Sequence, residues 1–143
     1  MMPTLVLDTD HMSLLEWGSD EAARLRERLA DCNEGDVATT IISYEEQVRG
    51  WMAYIAGARS LAKQVQAYRR LRSHLDNYRQ IPVLDFDDAA ARIYEELRQS
   101  RLRIGTMDLK IAAIVISLDA TLLSRNRIDF SKVPGLKIED WTI

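Results

Sequence analysis

Acidic side chains stand at four separated points of this chain, each beside the end of an apolar run. Asp8 closes Thr4–Leu7, Glu46 follows Val37–Ile42, Asp108 precedes Leu109–Leu118, and Asn126 and Asp129 follow Ala120–Leu123. A carboxylate that ends a buried strand is costly unless it finds a partner. Several gathered in one place repel one another, and one must keep its proton unless a cation neutralises the group. Oxygen donors of this kind, in a chain with one cysteine and two widely separated histidines, suit Mg²⁺ or Mn²⁺ rather than zinc.

Each acid also has a plainer role open to it. Glu46 is the last residue of Ser43-Tyr44-Glu45-Glu46, which has the form of a helix capping box, and Asp108 falls in the first turn after a Thr106 cap. A carboxylate in either place stabilises a helix by about 0.3–1 kcal/mol. Asp10 either contacts water on the cation or caps the turn that follows it. His11 lies close enough in sequence to orient one of these groups, whereas His74 sits amid a basic helical segment and reads as a surface residue. The chain has no G-x-S-x-G elbow and no glycine-rich phosphate loop.

Alternating strands and helices must position these residues. Thr4–Leu7 predicts a strand, and Ser19-Asp20-Glu21 predicts the capped start of a helix running to about Cys32. Asn33–Asp36 is turn chemistry, and the β-branched run Val37–Ile42 predicts a second strand. Val48, Trp51, Met52 and Ile55 recur at helical spacing, as do Leu61, Val65, Tyr68, Leu71 and Leu75 within Arg59–Tyr78. Ile81–Phe86 predicts a third strand that Pro82 places near its start or at a sheet edge, with Asp87-Asp88 opening a helix through Leu97. A deeply buried helix, Leu109–Leu118, precedes a fourth strand, Ala120–Leu123, and Leu136–Trp141 supplies a fifth. In outline the order is βαβααβαβαβ. That alternation implies an α/β three-layer sandwich with a mostly parallel central sheet, whose strand ends share one edge.

The 143 residues suit one domain, 1–143, and 47% hydrophobic with 29% charged residues is an ordinary globular balance. The longest apolar stretch, Ile111–Leu118, is far short of the roughly 20 residues that span a bilayer. The amino terminus lacks the plan of a secretory signal, so a cytoplasmic location is expected. Cys32, the lone cysteine, is expected to act as a small buried apolar side chain. The formal net charge is −3, yet Arg59–Arg79 holds six cations against Asp76 alone, a net +5 that most simply describes a solvated helix face.

The ordered motifs resemble those of the PIN domain family over nearly the whole chain. Leu5-Val6-Leu7-Asp8-Thr9-Asp10 is similar to its first motif, Ile42–Gly50 to its second, Ile104–Ala113 to its third, and Thr121–Asn126 continuing through Asp129-Phe130 and Val133–Leu136 to its fourth and closing segment. The resemblance implies that Asp8, Glu46 and Asp108 hold Mg²⁺ or Mn²⁺, the spacing to Gly50 selecting Glu46 over Glu45. It places Asn126 where many relatives carry Asp, with Asp129 as an additional candidate beside Asp10. The implied activity is endoribonuclease hydrolysis of RNA phosphodiesters by metal-activated water, in the manner of a VapC-type toxin of a toxin–antitoxin pair. A homodimer and a cognate antitoxin are the implied partners, the latter packing over the helices Tyr44–Tyr78, where Trp51, Tyr54 and Tyr68 could build a groove for a helix. Arg49, Arg103 and Lys110, near the acids in sequence, are candidates for flanking phosphates or else ordinary surface cations.

Two other readings compete. A haloacid-dehalogenase-type phosphatase also needs a strand-ending D-x-D, but Asp108-Leu109-Lys110 presents its later lysine and acid in the wrong order and without a following acid pair. A noncatalytic protein- or RNA-binding module remains open if the acids only cap helices.

Overall fold

The computed structural model describes residues 2–143. Five short strands, β1 (Leu5–Leu7), β2 (Val37–Thr40), β3 (Val83–Leu84), β4 (Thr121–Leu123) and β5 (Lys137–Glu139), form one sheet in the order β3-β2-β1-β4-β5. Every pairing is parallel, with Leu5 opposite Val37 on one side and Thr121 on the other. Parallel neighbours require crossovers, and helices α1 (Thr9–Leu14), α2 (Asp20–Ala30), α3 (Ile41–Gly57), α4 (Leu61–Arg79), α5 (Asp88–Gln99), α6 (Thr106–Ser117) and α7 (Arg127–Phe130) supply them.

Strand alternation sorts the core onto two faces. Val6 and Leu122 pack with Ala90 and Leu97 of α5 and with Ile111, Ala112 and Val115 of α6. Their neighbours Leu7 and Leu123 point the other way, onto Met12 of α1, Leu25 of α2 and Tyr78 of α4. The expected three-layer α/β sandwich with a parallel sheet is therefore what forms. Helix α6 is apolar nearly all round and lies deepest, with Ile111, Ala112, Ala113 and Val115 fully buried.

Several local expectations are corrected. Two helices, not one, join β1 to β2, the two helices read between Asp87 and Leu118 both lie between β3 and β4, and the short α7 separates β4 from β5. The second strand stops at Thr40 rather than Ile42, because the Thr40 hydroxyl accepts from the Ser43 amide at 3.0 Å and starts α3. The Ser43–Glu46 capping box does not form, and Glu46 lies inside the helix with its side chain released for other work. Helix α6 starts at Thr106, with Gly105 at the cap position and no side-chain cap, so Thr106 is not the cap. His74 is fully buried, stacked on Tyr44 with ring centroids 5.3 Å apart, not on the surface. Cys32 is only half-buried. Pro82 does lie beside an edge strand, its carbonyl accepting from the Thr39 amide at 3.0 Å. No helix is long and apolar enough to cross a membrane among the described residues.

The chain builds outward from β1 in both directions, through β2 to β3 and through β4 to β5. The gap between β1 and β4 is thus a topological switch point, the place where parallel sheets leave a crevice at their carboxyl edge.

Candidate active site

Asp8 follows the last residue of β1 directly at this crevice. It caps α1, its Oδ1 accepting from the His11 amide at 2.8 Å, and it is buried. Helix α3 starts where β2 ends, so Glu46, in its second turn, stays near the same edge. Helix α6 must end at the sheet's amino edge, where β4 begins after a short turn. Its twelve residues then carry the first turn, with Asp108, back to the carboxyl edge, a span of about 18 Å at the α-helical rise. Asn126 follows β4 and caps α7, its Oδ1 accepting from the Asp129 amide at 3.3 Å.

Asp8, Thr9, Asp10, Ser13, Glu46, Gln47, Asp108, Asn126 and Phe130 line one cleft of about 350 Å³. The Thr9 hydroxyl donates to Glu46 Oε1 at 2.7 Å, which joins β1's exit to α3 across the cleft. Asp10 is held by Arg125, whose Nε and Nη2 each donate to its carboxylate at 2.6 Å. Asp129 points to Asn126 Nδ2 at 3.1 Å and to Lys132 Nζ at 3.3 Å. Arg49 pairs with Glu45 at 2.6 Å. The Lys110 ammonium lies over the rings of Phe86 and Tyr94, at 5.8 and 5.7 Å. Arg103 is exposed, and its carbonyl accepts from Lys132 Nζ at 2.9 Å.

The charges respond to this crowding. Burial first, then the nearby charges of Glu46, Asp8 and Asp129, push the Asp108 carboxyl up to about 6. Asp129 moves the other way, below the usual carboxylate range, because the Asn126 amide and the Lys132 ammonium bond to its charged form. Behind the cleft the Tyr78 hydroxyl donates to Gln47 Oε1, and burial followed by the neighbouring acids keeps that phenol protonated.

This donor set fits a divalent cation. An acid whose charge is opposed by two further acids in the same cleft is what a hard cation relieves. Among the described residues the three-donor cluster close enough to share one ion is a different set from the expected Asp8, Glu46 and Asp108: an oxygen of Asp8, an oxygen of Asp10 and an imidazole nitrogen of His11 all lie within 4.8 Å of one another. A larger cavity, about 520 Å³ between Leu7, Leu29, Val37 and Ile81, contains no such cluster and lies against the apolar core.

The family model for the PIN domain matches residues 5–136. The chain belongs to the PIN domain family. A ribonuclease VapC2 from Rickettsia felis is 37% identical over 65 residues, 43% of this chain and 48% of that protein, so the match spans about half of that relative. A tRNA(fMet)-specific endonuclease VapC from Shigella flexneri is 27% identical over 128 residues, covering 86% of this chain and 88% of that protein. Among solved structures, VapBC2 from Rickettsia felis bound to a promoter DNA fragment superposes with a TM-score of 0.72 at 27% identity, covering 96% of this chain and 98% of that one.

Within this PIN domain, sequence reasoning did not single out Thr9 or Arg125. Thr9 sat inside the quoted D-T-D motif, but only the fold brings its hydroxyl to Glu46, 37 positions away. Arg125 carried a weaker signal, a cation beside Asn126, and its partner lies 115 positions upstream.

Proposed function

We propose that this PIN domain is an endoribonuclease of the VapC type, the toxin of a toxin–antitoxin pair, with residues 1–143 acting as one nuclease domain. The observation that carries the reading is the meeting of Asp8, Glu46 and Asp108, from three distant segments, in a cleft that drives the Asp108 carboxyl up to about 6. Asp8, Glu46 and Asp108 are assigned as ligands of Mg²⁺ or Mn²⁺, with Asn126 beside them and Asp10 and Asp129 as additional candidates. When bound, such a cation supplies a Lewis acid that acidifies water and offsets charge growing on the phosphate. The protein's own part is positioning. Thr9 holds the Glu46 carboxylate in one orientation, and the cap contact to the His11 amide does the same for Asp8.

The substrate assigned is RNA, supported by the ribonuclease names of the relatives. Arg49 and Lys110, to be released from their present side-chain contacts when RNA arrives, and the exposed Arg103 remain the flanking-phosphate candidates. The partner assigned is an antitoxin, supported by the VapBC complex among the similar structures. A groove of about 370 Å³ between α3 and α4, lined by Tyr44, Val48, Tyr68, Leu71, Arg72 and Leu75, suits the apolar side of a partner helix. Exposed Met52, Tyr54 and Val65 on the same helical arm supply apolar surface for a homodimer. A cytoplasmic location, where cellular RNA is at hand, belongs to the same proposal.

The noncatalytic reading rests on one observation, that Asn126 is engaged with Asp129 and in capping α7. Incubation of total cellular RNA with the purified protein decides between them. Discrete fragments in Mg²⁺ or Mn²⁺, absent in EDTA and absent for Asp108→Asn, are expected; RNA left intact under every condition refutes the nuclease.

A further inference from the structure

The loop after α1 and the outer face of α4 carry a positive, partly aromatic surface that the assigned site does not use. Trp17, on the loop after α1, is 43% exposed, and the Arg70 guanidinium lies 4.0 Å from its ring centroid. That loop is tied down, since Arg26 Nη2 donates to the carbonyl oxygens of Leu15 at 2.7 Å and Trp17 at 3.0 Å. Gln66, Arg69, Arg70 and Ser73 share one face of α4 and line an open groove of about 370 Å³. Arg72 is paired with Asp76, whereas Lys63, Arg69 and Arg70 form no ion pair among the described residues.

Packing through the interior ties this surface to the elements of the cleft. Ser13 of α1 lines the cleft, and the chain reaches Trp17 one turn later, where the Trp17 amide donates to the Leu14 carbonyl at 3.2 Å. On α4, Asn77 Nδ2 bonds the Met12 carbonyl at 3.2 Å, and Tyr78 bonds the cleft-lining Gln47. Arg70 stands about 12 Å from Tyr78 along the same helix at the α-helical rise.

On the ribonuclease reading, we propose that Trp17, Arg70 and Arg69 form a subsite for the RNA strand that flanks the scissile phosphate. Unpaired bases stack on indole rings and guanidinium planes, and a stacked guanidinium still presents its edge N–H groups to a phosphate. A protein of net charge −3 with an acidic cleft repels a polyanion, so attraction has to come from cations outside that cleft, and Arg69 and Arg70 are two that form no ion pair among the described residues. The indole and Arg70 take an unpaired base, and Arg69 with the edge of Arg70 takes the adjoining phosphates.

The test is fluorescence anisotropy with a labelled single-stranded RNA of about 20 nucleotides in EDTA, titrated between about 50 and 200 mM KCl. Trp17→Ala is expected to weaken binding about 5- to 10-fold with the salt slope unchanged, and Trp17→Phe to recover part of the loss. Arg69→Ala with Arg70→Ala is expected to weaken binding and to flatten the logarithmic salt slope by about 1.4, the release of two phosphate contacts. Arg98→Ala, on α5 and paired with Glu95, is the charge control and is expected to change neither. The subsite is overturned if wild type does not bind this RNA, if the double variant keeps the wild-type affinity and slope, or if Arg98→Ala reproduces its loss. Cleavage of the same RNA in Mg²⁺, with Asp108→Asn alongside, reports on the ribonuclease reading separately. Cleavage with binding indifferent to Trp17, Arg69 and Arg70 overturns the subsite alone; binding that responds to them without cleavage overturns the nuclease alone.

Discussion

Asp108 holds its proton more tightly in the folded chain than an ordinary aspartate, because burial and then the charges of Glu46 and Asp8 oppose its ionisation. With an unfolded value near 3.8 and a folded value of about 6, its contribution to stability is fully present below the lower value and is lost as pH rises through the higher. At full burial the difference is worth about 3 kcal/mol, and solvent around a partly exposed carboxyl reduces this to about 1 kcal/mol. In EDTA at pH 7.5, Asp108→Asn should therefore melt about 2–4 °C higher than wild type, a gain that vanishes near pH 4. Scanning calorimetry at the two pH values checks this, and added Mn²⁺ should stabilise wild type far more than the variant. Thr9 gives a second test. Thr9→Val removes the 2.7 Å bond to Glu46 and is expected to weaken Mn²⁺ binding by about tenfold in calorimetric titration, with Thr9→Ser close to wild type.

The elements were legible where periodicity was strong. All five strands and the long helices α2 to α6 lie within or close to the predicted ranges, since β-branched runs and apolar stripes report burial directly. The six-residue α1 and four-residue α7 were missed because they are too short for a period to show, and their caps, Asp8 and Asn126, had been read only as chemistry. The start of α3 was displaced for a related reason. Thr40 and Ser43 are both competent caps by type, and the β-sheet decides between them by where β2 stops. Thr40→Ala should consequently lower stability by about 1 kcal/mol in urea unfolding. If Thr40→Ala leaves the midpoint unmoved, the cap is not what ends β2.

For the whole molecule, the parallel order β3-β2-β1-β4-β5 gathers residues up to 118 positions apart at one edge, from Asp8 to Asn126. The same packing buries one face of α4 and leaves an apolar groove between α3 and α4 on the outside. Leu75, 39% exposed in that groove, supports little of the core. Leu75→Glu is expected to keep the melting temperature while abolishing co-purification with a co-expressed antitoxin; retention of the complex would place the partner elsewhere.

From the residues alone came the fold class, the family resemblance and the four acidic or amide positions that now line one cleft, because those depend on local pattern and on the shared polarity of parallel strands. Arg49, Arg103 and Lys110 were chosen by nearness in sequence, and the structure treats each differently: Arg49 pairs with Glu45, Lys110, two positions after Asp108 on α6, turns to Phe86 and Tyr94, and Arg103 lies exposed between α5 and α6. The Thr9–Glu46 bond, the Arg125 grip on Asp10, the burial of His74 and the Trp17–Arg70 platform were decided by tertiary structure. Each joins side chains distant in sequence, and only the packing of one layer on another determines which of many chemically suitable partners is within reach.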